Sequence, residues 1–377
     1  MTKRLESLDI LRGFDMFCLA ALGPLIHAFE RTGNYPALET LFIQSDHVDW
    51  SGFHAWDLVM PLFMFMAGVA IPFAFSRYKE ENQSKTRIYL RILKRVIVLW
   101  ILGMICQGNL LSWNWQELKF YSNTLQTIAF GYAVSAIFFL NTKPKTQVIC
   151  AICMLIGYWL LMNFVTINGH GGGDYSKTGN LATYLDHIIL GDHSDAVYIH
   201  SDGVKSVSVG NHTWTLASVN FSVTVMSGMF AGEILKSLRP EKQKMLFLSA
   251  CGALMIGLGL LWSLSIPVNK SLWTSSWVLV TSGIFFLLMA LFYFIVDYKK
   301  WKGLGWLKVY GMNSIVAYLC SLETCVIDFR PIARDLLYGF EPMVSKMWYK
   351  FIVVLGAVLI LYFLLRVMYK HKIFVKA

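Results

Sequence analysis

The 377-residue chain is too apolar for a water-soluble protein. Hydrophobic residues make up 56% of it, charged residues 15%, and the mean hydropathy is +0.53. Soluble domains are typically about 45–50% apolar and about 25% charged, so this composition excludes that class and indicates that lipid surrounds much of the chain. The net charge of +10 comes from 33 Lys and Arg against 23 Asp and Glu.

The apolar residues occur in stretches of about 20, the length that a helix needs to cross a hydrocarbon layer about 30 Å thick. We therefore expect an all-α fold, a polytopic membrane helix bundle of about ten transmembrane helices in a single domain over residues 1–377. The predicted spans lie near residues 11–30, 56–76, 90–108, 124–141, 146–167, 213–236, 245–266, 273–296, 308–327 and 346–368.

The basic residues alternate between the connections of these spans. With ten spans and a cytoplasmic N-terminus, 24 of the 33 Lys and Arg fall on the cytoplasmic side, as the positive-inside rule requires. We expect both termini inside and two long loops outside, near residues 31–55 and 168–212. This bias accounts for the net charge, so no nucleic-acid partner is expected. The first apolar stretch lacks a small-residue cleavage site and is expected to remain as a span.

The first outer loop contains a candidate for acid–base chemistry. His47 and Asp57 lie ten residues apart, just before the second span. A neutral imidazole can remove a proton from an amine, and a carboxylate can fix its tautomer. In the alternative interpretation His47 is a solvated loop residue and Asp57 a carboxylate favoured by the helix dipole.

Four other polar residues are predicted to lie at the same outer level and to bind substrate. Taken singly, each amide is as well explained by a hydrogen bond between helices. Together they indicate a polar pocket open to the outside. The four residues are Gln126, Asn220, Asn269 and Lys270.

A second group of polar residues is expected at the cytoplasmic side. Arg12, Arg95 and Asn313 suit a phosphate-rich ligand such as coenzyme A, although ordinary positive-inside anchoring also explains the arginines. Asp15 is a carboxylate inside an apolar span and is a functional candidate for that reason. The seven cysteines are expected to be small core or lipid-facing residues, and no metal is expected.

Seven segments, in order over nearly the whole chain, match the pattern of a known protein family. They are RLESLDILRGFDM, HVDWSGFHAWDLVMPLFMFMAGVAIP, TLQTIAFGY, YLDHIILGDH, SVNFSVTVMSGMFAGEIL, IPVNKSLWTSSWVL and VYGMNSIVAYL. In these segments the sequence resembles the heparan-α-glucosaminide N-acetyltransferase family of transmembrane acyltransferases.

The resemblance implies a multispan enzyme that transfers the acetyl group of cytosolic acetyl-CoA to the amine of a glucosamine on the far side. His47 matches the catalytic histidine of the family. Two positions depart from its pattern: Gly23 and Pro24 stand near an expected asparagine, and a His–Glu pair is absent around Ser321–Glu323. The acceptor sugar is therefore expected to differ from heparan.

The short N-terminal segment suggests the bacterial form of the family, in an inner (plasma) membrane, acting on a periplasmic or incoming amino sugar. Membrane lipid and the small amino sugar are the expected partners, with a homodimer as a further expectation. Two alternatives stay open. One is a secondary transporter that uses Asp15, His27 and Glu233, and the other is an O-acyltransferase of cell-envelope glycans.

Overall fold

The structure is a computed structural model that describes residues 5–80, 85–195, 197–199, 205–207, 212–322 and 326–375. Its α-helices are, in chain order, α1 (Glu6–Phe17), α2 (Gly23–Glu30), α3 (Glu39–Ser45), α4 (Val59–Glu80), α5 (Lys85–Gln107), α6 (Thr124–Asn141), α7 (Pro144–Phe164), α8 (Leu181–Leu190), α9 (Ala217–Lys236), α10 (Glu241–Trp262), α11 (Ser275–Phe292), α12 (Lys308–Met312), α13 (Ser314–Leu319), α14 (Arg330–Leu336) and α15 (Lys346–Lys370).

The few strands form two short antiparallel hairpins in the long outer loop. They are β1 (Thr166–Ile167) paired with β2 (His170–Gly171), and β3 (Val197–Ile199) paired with β4 (Lys205–Val207). Every other regular element is helical in the part of the chain that the structure describes. The predicted all-α class is confirmed.

Seven helical segments of the described chain are long and apolar enough to cross a membrane. They are Glu6–Glu30, Ala55–Phe75, Thr124–Asn141, Pro144–Phe164, Glu241–Trp262, Ser275–Tyr298 and Lys346–Lys370. Two further helices, α5 and α9, have 23 and 20 residues and coincide with the third and sixth predicted spans. The chain is a polytopic helix bundle, as its hydropathy predicts.

The ninth predicted span, near residues 308–327, differs from expectation because it is not one helix. The helices α12 and α13 have five and six residues and meet at Asn313, whose φ of −123° and ψ of 44° are not helical. The backbone oxygen of Asn313 accepts from Ala317 N at 2.9 Å, so this residue begins α13. The Asn313 side chain does not cap α13; its amide bonds the backbone of Ile373 and Val375 instead.

Glycines bring two pairs of helices into backbone contact. A Cβ atom at Gly228 of α9 would overlap the carbonyl oxygen of Phe65 on α4. In the same way, a Cβ atom at Gly68 of α4 would overlap the carbonyl oxygen of Val225 on α9. On α1, a Cβ at Gly13 would overlap the carbonyl oxygen of Leu307, just before α12. Small residues permit this approach where apolar surface alone does not drive helices together in lipid.

A buried carboxylate ties the outer loop to the bundle. Asp186 of α8 accepts hydrogen bonds from Trp214 N and Thr215 N, both at 2.7 Å, immediately before α9 begins. Burial raises the pKa of Asp186 above its ordinary value. The N–H groups at the start of a helix have no carbonyl partner within that helix, and a negative charge is favoured there. A carboxylate is therefore well suited to accept from them. The loop is thereby held at the outer end of α9.

We expect Gly228→Ala to destabilise the bundle by about 1–3 kcal/mol, the usual cost of overpacking, because its methyl group would meet the Phe65 carbonyl. The measurement is thermal unfolding in detergent. Gly257→Ala is the matched control, since a Cβ at this α10 position has no atom within 4 Å. Both substitutions gain the same helix propensity, so equal unfolding temperatures would contradict the packing role.

Candidate active site

The outer site is built around the carboxylate of Asp57, only 1% of which is exposed. Asp57 lies in the short 3₁₀ turn Ala55–Leu58 that leads into α4. The Asp57 Oδ2 accepts a hydrogen bond from the backbone N–H of His54 at 3.1 Å. This bond is one half of a capping box, and in the other half the His54 side chain accepts from the backbone N–H of Asp57. These bonds fix the carboxylate while leaving Oδ1 for side chains from elsewhere in the chain.

Two side chains converge on Asp57 Oδ1. The His47 Nδ1 lies 2.7 Å from it, and the Lys270 Nζ lies 3.1 Å from it. The Lys270 side chain is 6% exposed, whereas that of His47 is 55% exposed. The Lys270 Nζ also lies 3.1 Å from the His47 Nδ1, so the carboxylate and the ammonium are both within hydrogen-bond distance of that ring nitrogen. The ammonium compensates the buried carboxylate. In the tautomer with its proton on Nδ1, His47 donates to Asp57 and keeps a free lone pair on Nε2.

A tight turn supplies Lys270 and Asn269 to this site. Asn269 Oδ1 accepts from Leu272 N at 2.9 Å, and its Nδ2 donates to Ser51 Oγ at 3.4 Å. Gly52 N also donates to Val268 O at 3.2 Å. The predicted residues His47, Asp57, Asn269 and Lys270 are thus brought together, although more than 200 residues separate the two loops.

His212 lies close enough to this cluster to feel its charges, and the sequence analysis assigns it no role. Burial and the nearby charge of Lys270 lower its pKa to about 3, and His47 and Asp57 also act on it electrostatically. Its imidazole is therefore neutral at physiological pH. The available signal was its position one residue before the sixth predicted span, at the outer level.

Two predicted substrate residues lie away from the His47 cluster. Gln126 Nε2 donates to Phe120 O at 2.7 Å, and its Oε1 accepts from Ser122 N and Asn123 N, so its amide serves the start of α6. Asn220 is fully buried, and its Nδ2 donates to Trp273 O at 2.7 Å. Their roles in substrate binding stay predictions.

The predicted donor residues Arg12 and Asn313 lie on neighbouring elements. The close approach of Gly13 to Leu307 and of Gly311 to the Asp9 carbonyl packs α1 against α12. Arg12 therefore lies beside the helix that ends at Asn313.

The amide of Asn313 is engaged by the C-terminal tail. Its Nδ2 donates to Ile373 O at 3.0 Å, and its Oδ1 accepts from Val375 N at 3.1 Å. The third predicted donor residue, Arg95, lies on α5, where its guanidinium covers the Tyr132 ring at 4.1 Å. The buried Nε of Arg95 has no hydrogen-bond partner among the described residues, so this cation keeps a free donor.

Among the described residues, no group of three or more His, Cys, Asp and Glu is placed to hold a metal ion. The expectation that no metal takes part stays a prediction.

Comparison with known proteins identifies relatives of this chain. The chain is 28% identical over 370 residues to the heparan-α-glucosaminide N-acetyltransferase of Homo sapiens, an alignment that covers 84% of this chain and 52% of the human protein. It is also 28% identical over 324 residues to that of Mus musculus, covering 72% and 48% of the two chains. The chain is a relative of these acetyltransferases. The resemblance expected from the sequence segments is confirmed.

The chain spans about half the length of the curated relatives it matches. Residues 4–190 also match a family model described as a domain of unknown function, DUF5009. This matched region contains both His47 and Asp57 but not Lys270.

We expect Asn313→Ala to release the C-terminal tail, because both hydrogen bonds to residues 373 and 375 are lost. Trimming by carboxypeptidase should accelerate while the bundle stays folded. Asn141→Ala is the matched control, because that amide bonds Tyr89 and not the tail. An unchanged trimming rate would contradict the anchoring role, and a parallel loss of coenzyme A affinity would support the donor-site prediction.

Proposed function

We propose that this protein is a membrane acetyltransferase that moves the acetyl group of cytosolic acetyl-CoA to the amine of a glucosamine-type sugar on the periplasmic side of a bacterial inner membrane. The observation that carries the proposal is the exposed imidazole of His47 held by the buried Asp57–Lys270 pair. The acetyltransferase relatives give the reaction class, and the charge distribution gives the sidedness.

The first task of the site is to remove a proton from the amine. With its Nδ1–H donated to Asp57, His47 presents Nε2 to the outside and can accept that proton as the new N–C bond forms. The imidazolium is then stabilised by the same carboxylate, and it returns the proton to the thiolate as the C–S bond breaks. Each role requires the tautomer in which Nδ1 carries the proton and donates it to Asp57.

The second task is to stabilise the negative charge that develops on the carbonyl oxygen. Asn269 is suited to this role because it lies in the turn next to Lys270 and because, among the described residues, its Nδ2 makes only a long bond, of 3.4 Å, to Ser51 Oγ. The same amide can instead hold a sugar hydroxyl. A two-step route, in which His47 Nε2 itself carries the acetyl group, uses the same arrangement and stays an alternative.

The residues present also fit an acyl donor that enters from the cytoplasmic side. Acetyl-CoA supplies a reactive thioester and several phosphates. Arg12, on α1, and Arg95, with a buried unpartnered Nε, are suited to bind phosphate.

The transporter alternative rests on Asp15. One oxygen of this buried carboxyl has no partner among the described residues, as expected for a proton or solute path.

We expect His47→Ala to lower acetyl transfer by about 10² or more, the usual effect of losing a general base or nucleophile. Folding and coenzyme A binding should stay near those of the unmodified protein, because most of the His47 side chain is exposed. The measurement is release of coenzyme A thiol with acetyl-CoA and glucosamine. His187→Ala, at an exposed position on the outer helix α8, should retain full activity. Substantial turnover by the His47 variant would remove this residue from the mechanism.

We expect acetyl transfer across the membrane in oriented proteoliposomes. Acetyl-CoA supplied on the Lys- and Arg-rich side should acetylate glucosamine confined to the opposite side, and coenzyme A should be released on the donor side. Product formed only when both substrates share one compartment would contradict the transmembrane route but not acetyl transfer itself. Passage of unmodified sugar without thiol release would favour the transporter.

A further inference from the structure

Two side chains that contact Trp273, which follows the Lys270 turn, each keep a buried polar atom with no hydrogen-bond partner among the residues that the structure describes. They are Trp277 on α11, through its indole Nε1–H, and Asn220 on α9, through its amide Oδ1. Both side chains are fully buried. Because an unpaired polar group inside a bundle is destabilising, each such atom requires an explanation, and a bound ligand is one.

The two atoms have opposite hydrogen-bonding character. The Asn220 amide has a fixed orientation, since its Nδ2 donates to the Trp273 carbonyl at 2.7 Å. What remains on Asn220 is an acceptor. The indole nitrogen of Trp277 can only donate. Together they offer one donor and one acceptor on helices that pack against each other.

The pair lies on the buried side of the proposed active site. The Trp277 ring contacts that of Phe53, with centroids 5.9 Å apart, and Phe53 belongs to the loop that carries His47. The centroid of Trp273 lies 6.3 Å from that of Trp277, and both residues closely follow the turn with Lys270. A ligand at Trp277 and Asn220 would therefore lie within the bundle, next to Trp273 and to the Phe53 side of the loop that carries His47.

A secondary amide matches this pair. A trans amide presents its carbonyl oxygen and its N–H on opposite edges, so it can accept from one helix and donate to the other. The acyl donor of the proposed function has such amides in its pantetheine arm, which must reach through the bundle to bring the thioester to His47. A sugar would arrive instead from the exposed side.

We propose that Trp277 Nε1 and Asn220 Oδ1 form a subsite for the pantetheine amide nearest the sulfur of the acyl donor. Trp277 donates to its carbonyl oxygen, and Asn220 accepts from its N–H. The subsite rests on the proposed function, because only an acetyl donor of this kind brings that amide to the site. In this proposal Asn220 binds the pantetheine arm of the acyl donor and not the sugar, which is the substrate contact predicted for it from the sequence.

The donor half is tested with Trp277→Phe, which removes the N–H and keeps most of the ring volume. Binding of coenzyme A and of 3′-phospho-ADP, which lacks the arm, is measured by calorimetry. We expect coenzyme A affinity to fall about tenfold, as for one lost hydrogen bond, with 3′-phospho-ADP unchanged. Trp273→Phe is the matched control, since its Nε1 already donates to Thr224 Oγ1 at 3.0 Å. It should leave the ratio of the two affinities unchanged.

The acceptor half is tested with a coenzyme A analogue in which the amide nearest the sulfur is an ester and so lacks the N–H. The unmodified protein should bind this analogue about tenfold more weakly than coenzyme A. The Asn220→Ala variant should bind coenzyme A and the ester analogue with equal affinity. The comparison of the two ligands on the unmodified protein needs no variant, so it tests the hydrogen bond from the amide N–H even if the Asn220→Ala protein fails to fold.

Equal binding of the amide and the ester by the unmodified protein overturns the subsite, even where acetyl transfer proceeds. So does a Trp277→Phe variant that loses amino-sugar affinity alone, because the pair would then contact the acceptor. Failure of the unmodified protein to bind either coenzyme A or 3′-phospho-ADP overturns the subsite and the proposed function together.

Discussion

The outer site depends on one buried charge, the carboxylate of Asp57. A carboxylate removed from water is costly unless it is paired and hydrogen-bonded, and here backbone N–H groups satisfy one oxygen while Lys270 and His47 share the other. Removing Lys270 leaves this charge uncompensated, whereas Lys270 and the His54 N–H still hold the carboxylate when His47 is replaced. The 47–57 loop and the 266–274 turn are therefore held in register by the same carboxylate that orients the imidazole.

The contrast in exposure around Asp57 explains how a polar cluster can operate at the membrane surface. Asp57 and Lys270 are withdrawn from solvent, so their attraction is weakly screened. His47 is more than half exposed and can meet a substrate from the aqueous side. His212, which is neutral, adds no second positive charge to that of Lys270. The cluster thus presents one reactive group to the outside and keeps its charges inside.

The sequence predicts most of the fold because lipid imposes a strong pattern on helices that cross it. It also predicts the His47–Asp57 pair, because those residues lie in one short loop. The bond between Asp57 and Lys270 joins positions 213 residues apart, and the hydrophobic periodicity of a sequence cannot predict a contact over that separation. The interrupted ninth span was missed for a related reason: hydropathy does not register Asn313 bonding to the C-terminal tail.

Trp277 shows why buried polar atoms are the hardest part of a site to read from sequence. In an apolar helix a tryptophan counts as core, and its ring does pack against Phe53 and Trp273. Only coordinates reveal that its N–H is unpaired, whereas the neighbouring Trp273 N–H bonds Thr224. These two tryptophans, four residues apart and both buried, therefore differ in whether the indole N–H is paired. An unpaired donor inside a packed bundle requires an explanation, and for Trp277 the proposed subsite supplies one.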